Sequence, residues 1–287
     1  MSGQIVKRNF SQHKQTSNMT GFTNFLFVPG NRPERFEKAA SSGADLVCID
    51  LEDSVPAEEK DSARESVLAA LGWLNRKNSA VRINGLKTKA GLADLVALAA
   101  ADHLPALLFM PMVESASEVE IAHSILGDRI EGLVPLIETV KGLRAGDDIA
   151  ASEGVTGMMF GGGDFSAELG TKLEWEPLLA ARGAFVMCCA SARVMAIDVP
   201  YIDMGNEAGL ADECARIKAM GFHAKAAIHP KQLPVIQKIM RPSEAEIAEA
   251  KEAIAAYDAA GGKAVGHGGR MLEAPLMERY RRMLASV

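Results

Sequence analysis

The sequence has 287 residues, of which 48% are hydrophobic and 24% are charged, a profile that is typical of a globular protein and excludes a disordered chain. The net charge is −6 without a basic block, which argues against a nucleic-acid or membrane-surface partner and favours a small molecule. Residues 1–20 lack the apolar core of a secretory signal, so we expect a flexible N-terminal tail there. No apolar run approaches the ~18 residues of a membrane-spanning helix.

The cysteines indicate a reducing compartment. They lie inside apolar segments and form neither a CxxC pair nor the dense spacing of a disulfide framework. They are Cys48, Cys188, Cys189 and Cys214. We interpret them as reduced, buried thiols in a cytoplasmic protein; a catalytic cysteine is the less favoured alternative.

Short apolar runs alternate with helical patterns along most of the chain. The runs cover residues 25–28, 45–49, 80–83, 106–110, 133–137, 156–160, 196–199 and 226–228. They are nearly continuous, as expected for parallel strands that are covered on both faces. Eight strand–helix units predict a (β/α)8 TIM barrel over residues 21–241. A doubly wound sheet would need GxGxxG after the first strand, where this chain has VPGNRPERF.

The segment after the barrel has a different character. Ser243 and Glu246 have the spacing of a capping box, as do Ser115 and Glu118 within the barrel. An Ala/Glu-rich helical pattern, a glycine-rich stretch over residues 261–269 and a last helical pattern follow. We expect residues 242–287 to be too short for a core of their own. They would form a C-terminal helical lid over the barrel mouth or on a neighbouring subunit.

Polar residues follow several of the predicted strands, where the working residues of such barrels lie. They are Arg32, Asp50, Glu52, Asp53, Arg82, Asn84, Glu138 and Asp164, and Lys225 and His229 flank the eighth run. An acid in this position is also a common first-turn residue of a helix, and a salt bridge to Asp50 or Glu52 inside the barrel would also explain Arg82. Because so many polar residues converge on one end of the barrel, we favour a functional site.

The two later acids indicate a metal site. Glu138 and Asp164 offer hard oxygen ligands, and an open site with one or two carboxylates suits Mg²⁺. Mn²⁺ could replace it, whereas zinc is disfavoured because histidine is absent from these loops. Arg82 would supply a planar fork for a substrate carboxylate or carbonyl. The glycines at 161–163, which accept conformations closed to other residues, would leave space beside Asp164.

Several motifs resemble those of one enzyme superfamily. In order, they are LFVPGNRPERFEKA, VCIDLEDSVPAEEKDSAR, VRING, PLIET, FGGGDFSAELG and KAAIHPKQ. They are similar to the HpcH/HpaI aldolase superfamily, in the citrate lyase β-subunit-like branch that includes malyl-CoA and citramalyl-CoA lyases. The resemblance runs from about Phe25 to Met240 and is specific for the branch, not for one substrate.

The resemblance implies roles for individual residues. Glu138 and Asp164 would bind Mg²⁺, and Arg82 would hold the oxo-acid part of the substrate. Glu52 and Asp53 would orient Arg82 and metal-bound water.

Three further residues are assigned by the same resemblance. Arg32 and Lys38 are candidates for contacts with the phosphates of CoA, although a solvated helix face explains them equally well. Acyl-CoA members of the family supply a tail aspartate to the neighbouring subunit's site, and the matching stretch, residues 270–273, ends here in Glu273. The side chain of Glu273 is one methylene longer than that of aspartate. The alternative interpretation is that Glu273 is only an acid in the first turn of a helix. This lid implies a homotrimer or a hexamer built as a dimer of trimers.

Together these features predict a Mg²⁺-dependent carbon–carbon lyase that cleaves a 3-hydroxyacyl-CoA of the malyl-CoA or citramalyl-CoA type. The products would be an α-oxo acid, pyruvate or glyoxylate, and acetyl-CoA or propionyl-CoA. The alternatives are the citrate lyase β subunit acting on a citryl-carrier protein, a malyl-CoA thioesterase, and a non-catalytic protein that binds CoA or a dicarboxylate. The choice among malyl-, methylmalyl- and citramalyl-CoA depends on the pocket around one methyl group, which leaves no motif.

Overall fold

The computed structural model describes residues 21–285, so the tail predicted over residues 1–20 lies outside the described residues. Eight parallel strands close into a barrel in sequence order. They are β1 (Asn24–Pro29), β2 (Leu46–Asp50), β3 (Ser79–Arg82), β4 (Leu107–Met110), β5 (Gly132–Ile137), β6 (Gly157–Phe160), β7 (Met195–Asp198) and β8 (Ala224–Ala227). The TIM barrel predicted from the alternating runs is confirmed.

Helices cover the outside of the barrel. They are α1 (Phe36–Ala40), α2 (Lys60–Leu71), α3 (Lys89–Ala100), α4 (Ala116–Leu126), α5 (Val140–Arg144), α6 (Gly146–Ala151), α7 (Gly162–Glu168), α8 (Trp175–Ala192), α9 (Glu207–Met220) and α10 (Leu233–Met240). Short 3-10 helices lie at Pro33–Arg35, Ala57–Glu59, Arg76–Asn78, Gly127–Arg129 and Pro230–Gln232. None of the helices between residues 21 and 285 has the length and apolar character needed to cross a membrane.

Two predicted boundaries differ from the structure in informative ways. The pattern over residues 139–151, predicted as one helix, is two helices that meet at Ala145, where Gly142 and Gly146 weaken helical continuity. The last strand begins at Ala224, earlier than predicted, so Lys225 lies within β8. The apolar pattern missed this start because an ion pair buries Lys225, as described below.

Successive residues of each strand alternate between two cores. In β2, Leu46 and Cys48 face the barrel interior, whereas Val47 and Ile49 pack against the surrounding helices. The interior is filled by side chains, with Phe25 packed on Phe109 at a ring distance of 5.0 Å. The barrel is therefore a packed core, and only its carboxyl-terminal mouth has room for a ligand.

The C-terminal segment contains α11 (Glu244–Ala259), the antiparallel strands β9 (Val265–His267) and β10 (Arg270–Leu272), and α12 (Ala274–Ala285). The glycine-rich stretch becomes a hairpin. The expectation that this segment lacks its own core is wrong. A separate cluster of buried side chains joins its elements, formed by Ala250, Ala253, Tyr257, Leu272, Met277 and Tyr280.

Only one of the two predicted capping boxes forms. Ser243 Oγ accepts the N–H of Glu246 at 3.2 Å, and Glu246 Oε2 accepts the N–H of Ser243 at 2.8 Å. At the head of α4, Ser115 makes no such cap. There Glu118 Oε1 accepts the N–H of Glu114 at 3.0 Å, one residue earlier than a capping box requires.

The C-terminal segment is tied to the amino-terminal end of its own barrel. Lys218, in the last turn of α9, pairs with Glu246 at 3.2 Å. Arg241 pairs with Asp45, which lies just before β2. Helices run opposite to the strands in this fold, so the end of α9 and the start of β2 lie at the same end of the barrel. These contacts hold the segment at the end opposite the carboxyl-terminal mouth.

Candidate active site

Arg82 is fixed at the carboxyl end of the barrel by the acid that ends the neighbouring strand. Asp50 and Arg82 are register partners in β2 and β3, and Nε and Nη2 of Arg82 donate to the two carboxylate oxygens of Asp50 at 2.6 and 2.8 Å. The guanidinium lies 4.8 Å from the ring centre of Phe27. Although burial alone would raise it, the pKa of Asp50 is held below its ordinary value by Arg82 and Ser54. The salt bridge considered from the sequence is present and leaves one guanidinium nitrogen for other contacts.

The remaining nitrogen meets the acidic loop. Arg82 Nη1 lies 2.9 Å from Oε2 of Glu52 and 3.3 Å from Oδ2 of Asp53. The contact with Glu52 is an ion pair without hydrogen-bond geometry, so Oε2 is a buried oxygen that receives no hydrogen bond. Burial raises the pKa of Glu52 to about 8 against the opposing charge of Arg82, and Asp53 and Glu138 add to the rise. The loop therefore presents more carboxyl groups than Arg82 can pair with as carboxylates.

Glu138 follows β5 and is buried, with Oε2 accepting the N–H of Met112 at 2.6 Å. Burial raises the pKa of Glu138 to about 7; the Met112 N–H and Arg82 oppose the shift, while Asp164 adds to it. Asp164 lies in the first turn of α7, and burial followed by the charge of Asp53 raises its pKa. The structure thus brings both predicted metal ligands into the electrostatic range of Arg82.

The three glycines before Asp164 have different roles. A Cβ on Gly161 would lie 2.1 Å from Cγ of Glu138, whereas one on Gly163 would meet nothing within 4 Å. Neither has the positive φ that only glycine adopts freely. The expected conformational role is therefore wrong for this stretch. Gly161 leaves space for the Glu138 side chain, not for a ligand.

The raised acid pKa values predict a pH-dependent stability in metal-free protein. Unfolded glutamates ionise near 4.5, whereas the folded chain retains these protons toward about 7 and 8. The folded state then binds more protons, so its stability falls as pH rises through this window. We expect the Tm measured in EDTA to fall between about pH 4.5 and pH 8, and Glu52→Gln to reduce this fall. Glu131→Gln, at an exposed acid before β5, is the control; an unchanged pH response in Glu52→Gln would contradict the assignment.

Four other residues named from the sequence lie apart from this cluster. Arg32 is half-exposed and pairs with Glu34 at 3.7 Å, and Lys38 is exposed on α1. Lys225 points outward from β8, where it pairs with Asp198 and Glu213 at 2.7 Å each. His229 caps the following 3-10 helix by accepting the N–H of Lys231. Lys225 and His229 therefore have structural roles, and the CoA contacts of Arg32 and Lys38 stay predictions.

Glu273 is exposed and directly precedes α12, in the segment held at the amino end of the barrel. Among residues 21–285, no hydrogen bond or ion pair joins this segment to Arg82, Glu138 or Asp164. Its predicted role concerns a neighbouring subunit's site, so that role stays a prediction.

A comparison with family models identifies the family of this chain. A family model described as HpcH/HpaI aldolase/citrate lyase matches residues 24–230. The chain belongs to this family. The matched range contains all eight barrel strands and every predicted site residue except Glu273. The family resemblance and the carbon–carbon lyase class predicted from the motifs are confirmed.

Individual relatives of the HpcH/HpaI family differ in their reactions. An L-malyl-CoA/beta-methylmalyl-CoA lyase of Cereibacter sphaeroides is 33% identical, with 88% of this chain and 89% of the relative covered. A (3S)-malyl-CoA thioesterase of the same species is 34% identical, covering 83% and 84%. The structure of CitE from Mycobacterium tuberculosis in complex with magnesium, acetoacetate and coenzyme A has a TM-score of 0.79 at 30% identity, covering 93% of this chain and 98% of that one.

Two features of the site go beyond what the sequence indicates. The sequence left the salt-bridge partner of Arg82 open between Asp50 and Glu52, and the register of β2 and β3 places Asp50 in the fork. The second feature is Met112. It has a φ of +56°, and no sequence signal marks a methionine for this left-handed conformation.

Proposed function

We propose that this chain is a Mg²⁺-dependent carbon–carbon lyase that cleaves a 3-hydroxyacyl-CoA of the malyl-, methylmalyl- or citramalyl-CoA type. The products are an α-oxo acid, glyoxylate or pyruvate, and acetyl-CoA or propionyl-CoA. The observation that carries the proposal is the position of Arg82. Its Nε and Nη2 donate to the two carboxylate oxygens of Asp50, and its Nη1 faces the carboxyl groups of the acidic loop. A cation and a substrate carboxylate are the groups that such a site recognises.

Glu138 and Asp164 would hold the Mg²⁺. The fit rests on the excess of carboxyl groups over cationic partners, on the buried Glu52 oxygen that receives no hydrogen bond, and on the space that Gly161 leaves for Glu138. No group of three or more His, Cys, Asp or Glu side chains within residues 21–285 is arranged to hold a metal. Mg²⁺ commonly uses one or two carboxylates with waters and substrate oxygens, and Mn²⁺ could substitute. When bound, the ion would polarise the hydroxyl and carboxylate oxygens of the substrate.

The side chains of this chain supply binding, orientation and proton transfer. Nη1 of Arg82 binds the oxo-acid half and stabilises the negative charge on its oxygen when the β-hydroxyl loses its proton to solvent. Glu52 and Asp53 keep this nitrogen in place. As that oxygen becomes the carbonyl of the oxo acid, the electrons of the breaking carbon–carbon bond pass to the α-carbon of the thioester, which gains a proton. Glu273 of a neighbouring copy in a homotrimer or hexamer is our candidate for the proton donor.

Substrate recognition outside the reaction centre is assigned to the first loop and helix. Arg32 is exposed in the loop after β1, at the same end of the barrel as Arg82, and Lys38 is exposed in the last turn of α1. They would pair with phosphates of the CoA moiety. The thioester arm would then reach the barrel mouth from the side of β1.

A thioesterase is the second candidate, because a relative of equal similarity carries that name. The experiment that separates the two is a panel assay with malyl-, methylmalyl- and citramalyl-CoA, with Mg²⁺ and with EDTA. We expect an α-oxo acid and a shorter acyl-CoA, and loss of turnover in EDTA. Free malate with free CoA would assign the thioesterase instead. Turnover by Asp164→Ala at the wild-type rate with added metal would overturn the metal assignment.

A further inference from the structure

A cavity of about 500 Å³ lies beside the reaction centre, between the loops that follow β2, β3 and β4. Some residues that line the cavity also contact Arg82 or Glu138. Glu52 and Asp53 line it and pair with Arg82, and Met112 lines it while its N–H is bonded to Glu138. The cavity therefore adjoins both the arginine and the proposed metal ligand.

The charged groups at the cavity rim already have partners. Lys60 Nζ donates to the carbonyl oxygens of Leu51 and Glu52 at 2.8 and 2.6 Å. Lys87 pairs with Glu114 at 2.8 Å and Glu118 at 3.1 Å. Both lysines are therefore engaged within the protein, Lys60 by neutral carbonyl oxygens and Lys87 by carboxylates, and neither is free to pair with a charged group of a ligand.

Most of the remaining wall of the cavity is apolar. It is formed by Val55, Ala57, Leu86 and Met112, with Asn84, Gly85 and Thr88 beside them. Met112 is 39% exposed, so a long apolar side chain stands at the edge of an otherwise charged mouth. Apolar surface in such a place gains free energy when an apolar group of a ligand covers it.

The backbone of Met112 adds a second observation. Its φ of +56° is costly for a side chain of this size. The conformation directs the N–H toward Glu138 at 2.6 Å while the side chain lines the cavity. Met112 thus positions the carboxylate of the proposed metal ligand Glu138 through its N–H and forms part of the apolar wall through its side chain.

We propose that this cavity is a subsite for an ethyl or propyl substituent of the oxo-acid half of the substrate, and that Met112 determines which substituents fit. The proposal rests on the proposed lyase function. Of the three groups on the oxo carbon, the carboxylate and the oxygen are engaged by Arg82 and the metal site, which leaves the substituent. The CoA arm is assigned to the side of Arg32 and Lys38, beyond β1, whereas the cavity opens between β2 and β4.

The test uses the reverse reaction, in which acetyl-CoA loses a methyl proton, the new bond forms at the oxo carbon, and the oxo oxygen gains a proton. Product acyl-CoA is measured by chromatography with Mg²⁺ and glyoxylate, pyruvate, 2-oxobutyrate or 2-oxopentanoate. We expect kcat/KM for 2-oxobutyrate to equal or exceed that for pyruvate. In Met112→Ala the ratio of 2-oxopentanoate to pyruvate should rise about 10-fold, and in Met112→Phe it should fall by about as much, since one methylene is worth about 10- to 200-fold in an apolar pocket.

Both variants keep a Cβ, so the backbone at residue 112 is equally strained in each. A difference between them in the ratio of 2-oxopentanoate to pyruvate therefore reflects the size of the side chain. Met187→Ala, at a methionine that is 68% exposed on α8, should keep the wild-type ratio. Wild-type ratios in both Met112 variants, or a 2-oxobutyrate value more than about 10-fold below that of pyruvate, would overturn the proposal.

A failure of the lyase function itself is distinguishable. If no oxo acid gives an acyl-CoA product, the proposed reaction is wrong, and the subsite is judged by calorimetric titration of the same acids with Mg²⁺ present. Tighter binding of 2-oxobutyrate than of pyruvate, reversed by Met112→Phe, supports the subsite. Equal or weaker binding refutes it.

Discussion

Replacing Arg82 with lysine is expected to lower kcat for acyl-CoA cleavage by about 10²- to 10³-fold, the usual cost of losing an oxyanion donor. Lysine keeps the charge but has no planar fork. It cannot bond both oxygens of Asp50, now at 2.6 and 2.8 Å, and still direct a donor at the substrate. Because the lost interaction is strongest in the transition state, kcat should fall more than KM rises. Steady-state kinetics at saturating Mg²⁺ measure both constants.

A second arginine offers a matched control for this substitution. Arg64 on α2 donates through Nε to the buried Asp94 at 2.6 Å, so it is also held by a buried carboxylate but pairs with neither Glu52 nor Asp53. Arg64→Lys should lower the Tm and leave kcat near that of the wild type. Equal losses of kcat in the two variants would indicate a general effect on folding, and a wild-type kcat in Arg82→Lys would remove Arg82 from the reaction.

Gly161→Ala is expected to weaken Mg²⁺ binding by about 10- to 100-fold, as substitutions behind a metal ligand commonly do. The new Cβ would lie 2.1 Å from Cγ and 2.7 Å from Oε1 of Glu138. The glutamate must therefore move, and its 2.6 Å bond from the Met112 N–H is strained or lost. Isothermal titration with Mg²⁺ measures the affinity without relying on turnover.

The same stretch contains the control. Gly163 is two residues further on, at the start of the same helix, and a Cβ there meets no atom within 4 Å. Gly163→Ala should bind Mg²⁺ as the wild type does. If Gly161→Ala also binds Mg²⁺ with wild-type affinity, Glu138 is not a ligand whose position depends on this glycine.

The barrel was predictable because each strand is apolar on both faces. Residues such as Val47 and Cys48 pack into different cores, so the runs are continuous and easily recognised. The exception is β8, where the buried Lys225 interrupts the pattern. Its partners, Asp198 and Glu213, lie on β7 and α9, and no local pattern reveals a partner so distant in sequence.

The site was predictable as far as it depends on strand ends. Arg82, Glu138 and Asp164 follow three different strands, and parallel strands in a closed barrel present their carboxyl ends together. The supporting contacts were predictable only in part, because the sequence offered both Asp50 and Glu52 as partners of Arg82. The fork between Arg82 and Asp50 depends on register, and the bond from Met112 to Glu138 depends on a backbone conformation that methionine rarely adopts.

The C-terminal segment has a consequence for how the molecule opens. Its buried side chains, such as Tyr257 and Met277, pack mainly with one another, and its ion pairs to the barrel lie at partly exposed residues such as Lys218 and Glu246. Exposed pairs of this kind contribute little to stability, so the segment is a cooperative unit with its own, lower opening free energy. Its amides should exchange with solvent faster than those of the barrel strands. Detachment would leave the geometry around Arg82 unchanged.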